Sequence, residues 1–116
     1  MKPVRFIGDS QKQIRGFPDL ARQKAGFQLE KLQRGEQPDD FKPLTAIGKG
    51  VEELRISTLD GAFRVIYYAR LANGVHVLHA FQKKSQATPR SDIDLAKARY
   101  RKVIQDHASQ TQARGL

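Results

Sequence analysis

Val51-Glu52-Glu53-Leu54-Arg55-Ile56-Ser57, Phe63-Arg64-Val65-Ile66-Tyr67-Tyr68-Ala69-Arg70-Leu71 and Val75-His76-Val77-Leu78-His79-Ala80-Phe81-Gln82-Lys83-Lys84 are three runs rich in β-branched and aromatic residues. Asp60-Gly61 separates the first two and Asn73-Gly74 the last two. Both dipeptides favour two-residue turns whose central positions need positive φ, so the stretch predicts a three-stranded antiparallel sheet. Such turns fix a register. Ser57 falls opposite Arg64 and Arg55 opposite Ile66 in the first hairpin; Tyr68 falls opposite His79, Ile66 opposite Phe81 and Arg64 opposite Lys83 in the second. One face then carries Leu54, Ile56, Val65, Tyr67, Ala69, Leu78 and Ala80, a core surface for helices. The other carries Arg55, Arg64, Lys83, Tyr68 and His79. Like charges facing each other across strands are a local cost, which a site for a polyanion would justify. Alternation also sends His76 and His79 to opposite faces, which argues against a metal pair.

Working outward, residues 3–7 form a short apolar run with an early proline, the signature of an edge strand and the fourth of the sheet. Asp9 or Ser10 is placed to cap a short helix reaching about Arg15. Gly16-Phe17-Pro18-Asp19 then breaks the chain and restarts it with proline in the first turn. In the second helix Ala21, Ala25, Leu29 and Leu32 make a buried stripe that Leu20 and Phe27 widen, and Gly35 supplies a left-handed cap. The two-proline segment 36–43 reads as a connector. Gly48-Lys49-Gly50 reads as a flexible lead-in to the next strand, without the spacing of a nucleotide-binding loop. After the sheet, Ser91 opens a helix with Asp92 and Asp94 in its first turn, and Ile93, Ala96, Tyr100 and Val103 form its buried stripe. The expected fold is α/β in the α+β sense: an N-terminal helical hairpin packed on a mainly antiparallel four-stranded sheet, plus a C-terminal helix. Residues 1–104 make one domain, and 105–116 a flexible tail.

The 116 residues, 39% of them hydrophobic, suffice for one modest core. With no cysteine there is neither a disulfide framework nor a thiolate metal site, and a cytoplasmic location is expected. No apolar run approaches the ~20 residues of a membrane span. The formal charge of +9 points to an anionic partner. The cations outside the sheet that would extend such a surface are Lys42, Lys49, Arg90, Lys97, Arg99, Arg101 and Lys102.

Glu53-Leu54-Arg55-Ile56, Phe63-Arg64-Val65-Ile66-Tyr67, Val77-Leu78-His79-Ala80-Phe81-Gln82-Lys83-Lys84 and Thr88-Pro89, followed by a basic helix, resemble the phage-derived, HigB-like branch of the RelE/ParE toxin superfamily. The resemblance runs from Leu32-Gln33-Arg34-Gly35 to about Lys102. It implies a RelE-like small domain acting as the toxin of a toxin–antitoxin pair, held by a cognate helix-turn-helix antitoxin, with the ribosome and messenger RNA as targets. RelE-like members cut messenger RNA through attack of a ribose 2′-hydroxyl on the adjacent phosphate, with neither metal nor cofactor. Arg64 matches the strand arginine of that family's active site, Lys83 and Lys84 its basic strand end, and Arg55 its Glu-Leu-Arg strand. The C-terminal tyrosine of several members has no counterpart. The register supplies His79, Tyr68 and Lys83 as proton-moving groups instead. Two other classes stay open: a ParE-like inhibitor of DNA gyrase, and a non-catalytic nucleic-acid-binding module.

Overall fold

Five strands form one sheet in the order β1-β5-β4-β3-β2: β1 (Val4–Phe6), β2 (Phe41–Pro43), β3 (Val51–Thr58), β4 (Gly61–Tyr68) and β5 (Val75–Lys83). The computed structural model describes the backbone of residues 1–114 and the side chains of residues 1–110. The central meander β3-β4-β5 is antiparallel as the sequence predicts. The sheet is nevertheless mixed and larger than four strands, because β1 pairs in parallel with β5 and the expected connector at 41–43 pairs antiparallel with β3. Backbone groups on the outer edge of β3 recruit that segment: Arg55 N donates to the Asp40 carbonyl (3.0 Å) and Leu44 N to the Val51 carbonyl (2.8 Å).

Both expected turn registers shift. In the first hairpin Leu59 and Asp60 are the loop residues, so Thr58 pairs with Gly61 and Arg55 stands directly opposite Arg64. The Asp60 amide donates to the Thr58 hydroxyl (3.1 Å), and the positive φ falls on Gly61 itself (129°). The Asn73-Gly74 turn is not a two-residue loop, since β4 ends at Tyr68 and β5 begins at Val75. Within that pair a β-bulge separates Ile66↔His79 from Tyr67↔Val77, with Leu78 as the extra residue. Tyr68 therefore faces His76, Ile66 faces His79, Arg64 faces Phe81 and Lys83 faces Ala62. The bulge also places His76 and His79 on one face, where strict alternation would separate them.

Helices cover both faces. The hairpin of α1 (Ser10–Arg15) and α2 (Asp19–Gln33) packs Ile14, Ala21, Ala25, Leu29 and Leu32 against Leu54, Ile56, Phe63, Val65, Tyr67, Val75, Val77 and Ala80. Leu20 and Phe27 do not widen that stripe: they are 51% and 52% exposed. Neither Asp9 nor Ser10 caps α1 through its side chain. The Ser10 hydroxyl donates to the Val77 carbonyl (3.1 Å) and Asp9 accepts from Arg99 (2.7 Å). Gly35 adopts the expected left-handed conformation (φ 76°). On the other face α3 (Arg90–Arg114) buries Ala96 and Val103, with Ile93 and Tyr100, against Val51, Ile66, Leu78 and Ile47. The segment expected to fray from Gln105 continues as helix through Arg114, and the last two residues lie outside those described. Gly48 belongs to this packing, since a Cβ there would meet the Tyr100 ring. Among the described residues, no helix is long and apolar enough to cross a membrane.

Candidate functional site

Cross-strand pairing stacks the polar side chains of the α3 face into rows. Lys42, Glu53, Ile66 and His79 form one; Arg55, Arg64 and Phe81 the next; Ser57, Ala62 and Lys83 the third. The first turn of α3 meets the sheet at His79, through Asp92, and its C-terminal half lies by His76, so the helix runs back along β5 away from Lys83. The Arg55–Arg64 row and Lys83 consequently lie beyond the helix start. Arg55 is exposed and Lys83 half-buried.

Arg64 is not the open-face cation that the sequence suggests. It is 7% exposed, donates from a terminal nitrogen to the Phe63 carbonyl (3.0 Å), and has its Nε 3.8 Å from Glu53 Oε1. Glu53, 3% exposed, keeps Oε2 without a hydrogen-bond partner, and Arg64 Nε likewise has none. Burial pulls the Arg64 guanidinium below its ordinary value, Glu53 opposes that, and Arg55 across the ladder adds to the lowering. The site thus holds two arginines face to face, one desolvated, with the Glu53 carboxylate beneath and Asp40 adding a weaker opposing charge.

His79 is 6% exposed, stacks on Phe81 (5.3 Å between centroids) and places Nε2 2.6 Å from Asp92 Oδ1. The carboxylate beside Nε2 fixes the orientation of the ring, and Nδ1 is buried without a partner. Tyr68 shares the face but packs edge-on against Tyr100 (5.2 Å) under α3, away from the arginine row. Lys84 lies past the end of β5 and is exposed.

The outer cations divide. Lys42 is exposed and opposite Glu53, next to the arginine row. Lys49, Arg90, Arg101 and Lys102 are exposed, Arg90 lying 3.9 Å from Asp94 and Lys102 3.7 Å from Asp106, while Lys97 is half-buried. Arg99 is committed to the fold: it donates to the carbonyl of bulged Leu78 (2.9 Å) and to Asp9 (2.7 Å), and the resulting bond holds the Asp9 carboxyl below its ordinary value. It is therefore a tether of α3 and not a free contact for RNA.

Sequence reasoning missed Glu53 and Asp92 as members of the site. Glu53 was findable, because the alternation that places Arg55 on this face places Glu53 there too. Asp92 reads locally as a helix-dipole residue, and only the crossing of α3 over β5 brings it to His79. Among the described residues, no cluster of His, Cys, Asp and Glu is suited to a metal ion.

A small α+β domain with helices on both faces of a mixed sheet, and a paired-arginine row left beyond one helix, is the class that fold and site define. Residues 12–101 match the model of the phage-derived Gp49-like proteins (DUF891), and the chain belongs to that family, which is related to RelE-like toxins. Comparison with curated proteins gives no match.

Proposed function

We propose that this chain is the HigB-like toxin of a type II toxin–antitoxin pair and a ribosome-dependent messenger-RNA endonuclease of the cytoplasm. The observation that carries the reading is the direct opposition of Arg55 and Arg64, with Lys83 one row away, beyond the start of α3. Cleavage follows when the 2′-oxygen attacks the adjacent phosphorus and the P–O5′ bond breaks, leaving a 2′,3′-cyclic phosphate and a 5′-hydroxyl. The 2′ proton leaves to a base and the 5′ oxygen gains one. Arg55, Arg64 and Lys83 stabilise the charge that grows on the phosphoryl oxygens, and electrostatic stabilisation of this kind often contributes most to such catalysis. With Tyr68 packed under α3, His79, oriented by Asp92, and Lys83 are the groups left to move protons. Lys42, Arg101 and Lys102 extend the anionic contact, and a helix-turn-helix antitoxin holds the toxin inactive.

Expression of the chain, followed by primer extension on cellular transcripts, tests this. Growth arrest with new 5′ ends inside translated frames is expected, and Arg55→Gln or Lys83→Gln should abolish both while leaving a folded protein. Intact transcripts with DNA-damage signalling would refute it in favour of the gyrase inhibitor. A groove of about 510 Å³ between α2 and β3 supports that second reading, because the exposed Leu20 and Phe27 that line it suit a protein surface better than RNA.

A further inference from the structure

A second concave site lies at the other end of the α3 face, where β1, the β4–β5 connection, the start of β5 and the C-terminal half of α3 meet around a cavity of about 180 Å³. Its polar wall is built from three strand and helix positions. Arg5 and His76 are registered partners on the parallel strands β1 and β5, so their side chains stand side by side. His107 of α3 lines the same cavity. Two features suggest that this wall is built for a ligand. His76 is 5% exposed, and its Nδ1 makes no hydrogen bond of ordinary length, the ring having only weaker contacts with the Gly74 and Tyr68 backbone, so a positive charge on it is poorly compensated by the protein alone. Arg5 is fixed by donation from Nε to the Asn73 carbonyl (2.8 Å), which leaves the terminal nitrogens of its planar fork for another acceptor.

We propose that Arg5, His76 and His107 form a binding site for the oxyanion of a phosphate group. The Arg5 fork donates to the phosphate oxygens, the protonated His76 ring beside it supplies positive charge, and His107 closes the site from α3. The size fits this ligand: the cavity is well below the ~300 Å³ at which pockets for drug-sized molecules begin, so it takes a phosphate group and not a whole nucleotide. The charged groups facing His76 are Arg5 from β1 and His107 and Asp106 from α3, and Asp106 already has Lys102 at 3.7 Å. Without an anion, burial first, then Arg5 and, less strongly, His107 hold the His76 imidazole below its ordinary value, while the Gly74 and Tyr68 carbonyls oppose them. An anion reverses the balance, so binding takes up a proton and tightens as pH falls. The site is separate from the arginine row: His76 and Phe81 are five positions apart on β5, about 16 Å at the usual strand rise.

The phosphate group has two candidate sources, a free phosphate and the backbone of a nucleic acid, and NMR titration of the His76 ring protons tests the site and separates them. Sulfate is the first probe, because its charge is constant between about pH 8 and pH 5.5. Sulfate should raise the His76 midpoint relative to chloride at equal ionic strength. Arg5→Gln should weaken saturation about tenfold, whereas Lys83→Gln should leave it unchanged. An identical midpoint in sulfate and chloride would overturn the proposal, as would a shift that survives Arg5→Gln. With the site established, inorganic phosphate and a hexauridylate are compared. Displacement of sulfate by both assigns the site to a nucleic-acid backbone, and displacement by inorganic phosphate alone assigns it to a free phosphate. Neither result depends on RNA cleavage, so failure here leaves the proposed endonuclease standing.

Discussion

Glu53→Ala and Arg64→Ala should both destabilise the protein, and they should differ in how pH relieves the loss. At 3.8 Å and an effective dielectric of about 20, the pair's attraction is about 4 kcal/mol. Desolvating two ions costs several kcal/mol each, so the pair adds little net stability, yet removing one partner strands a charge under a nearly closed surface. Glu53→Ala strands an arginine, which cannot shed its proton, and should cost about 3–5 kcal/mol at any pH from 5 to 8. Arg64→Ala strands a carboxylate, which can escape by protonation. Protonating an ordinary glutamate costs about 4 kcal/mol at pH 7 and about 1 kcal/mol at pH 5, so acidification can return at most roughly 3 kcal/mol to this variant. Replacing both residues with leucine and methionine should return stability to within about 1 kcal/mol of the parent. Urea unfolding at pH 7 and pH 5 measures all four proteins, provided the denaturant slope is unchanged. Single variants within about 1 kcal/mol of the parent at pH 7, or parallel pH profiles for the two, would refute the buried pair. Arg64→Ala is accordingly a poor probe of activity, and Arg64→Lys, which keeps the charge and loses the fork, is the informative substitution.

Binding of the protein to RNA or ribosomes should weaken steeply with salt, and Arg101→Gln or Lys102→Gln should each reduce the slope by about one; Arg99→Gln should instead lower unfolding stability by about 1.5–3 kcal/mol, since it releases the Leu78 carbonyl and Asp9. A salt-independent affinity, or an Arg99 variant as stable as the Arg101 variant, would contradict the assignment. In chloride buffer, stability should be flat from pH 8 to 7 and fall as pH drops through 6.5, the ordinary histidine value, because unfolded chains then bind a proton that the buried His76, its affinity lowered by burial and Arg5, does not. The fall levels off below the folded value, and His76→Gln should flatten it in urea titrations.

Much of this architecture is legible because it rests on local pattern. The stripes Ala21-Ala25-Leu29-Leu32 and Ile93-Ala96-Tyr100-Val103 follow helical spacing and are found buried or half-buried against opposite faces. Pro3 correctly marks an edge strand beside residues 4–6. Strand β2 is illegible because Phe41-Lys42-Pro43 has no periodicity of its own; it is a strand only because the edge of β3 supplies partners. The turn registers fail for a related reason. Dipeptide preference ranks turns but does not set them, and here Thr58 and Gln82 bind the Asp60 peptide and move the loop by one residue. The cationic face survives that error because both pairing schemes keep Arg55, Arg64, His79, Phe81 and Lys83 in phase. What the sequence does not disclose is depth: that Arg64 is buried over Glu53 depends on neighbours from three strands.

The bulge at Leu78 is what lets one strand serve two sites. Without it, the phase that turns His79, Phe81 and Lys83 toward Arg64 would also turn Val75 and Val77 toward α3 and send His76 into the core beneath α1 and α2. One extra residue reverses the phase of the first half of β5. Val75 and Val77 then enter the helical-hairpin core, while His76 comes up beside Arg5 on the α3 side. A bulge leaves ladder groups unsatisfied, and here the Leu78 carbonyl is bound by Arg99, twenty-one positions along the chain. The arginine that the charge pattern offers as an RNA contact is spent on holding the phase shift. The same α3 whose Asp92 orients His79 places His107 over His76. Fold and chemistry are coupled through that helix: loosening its tether at Arg99 should disturb both ends of the sheet face together, whereas a change at Lys83 or Lys84 should disturb one.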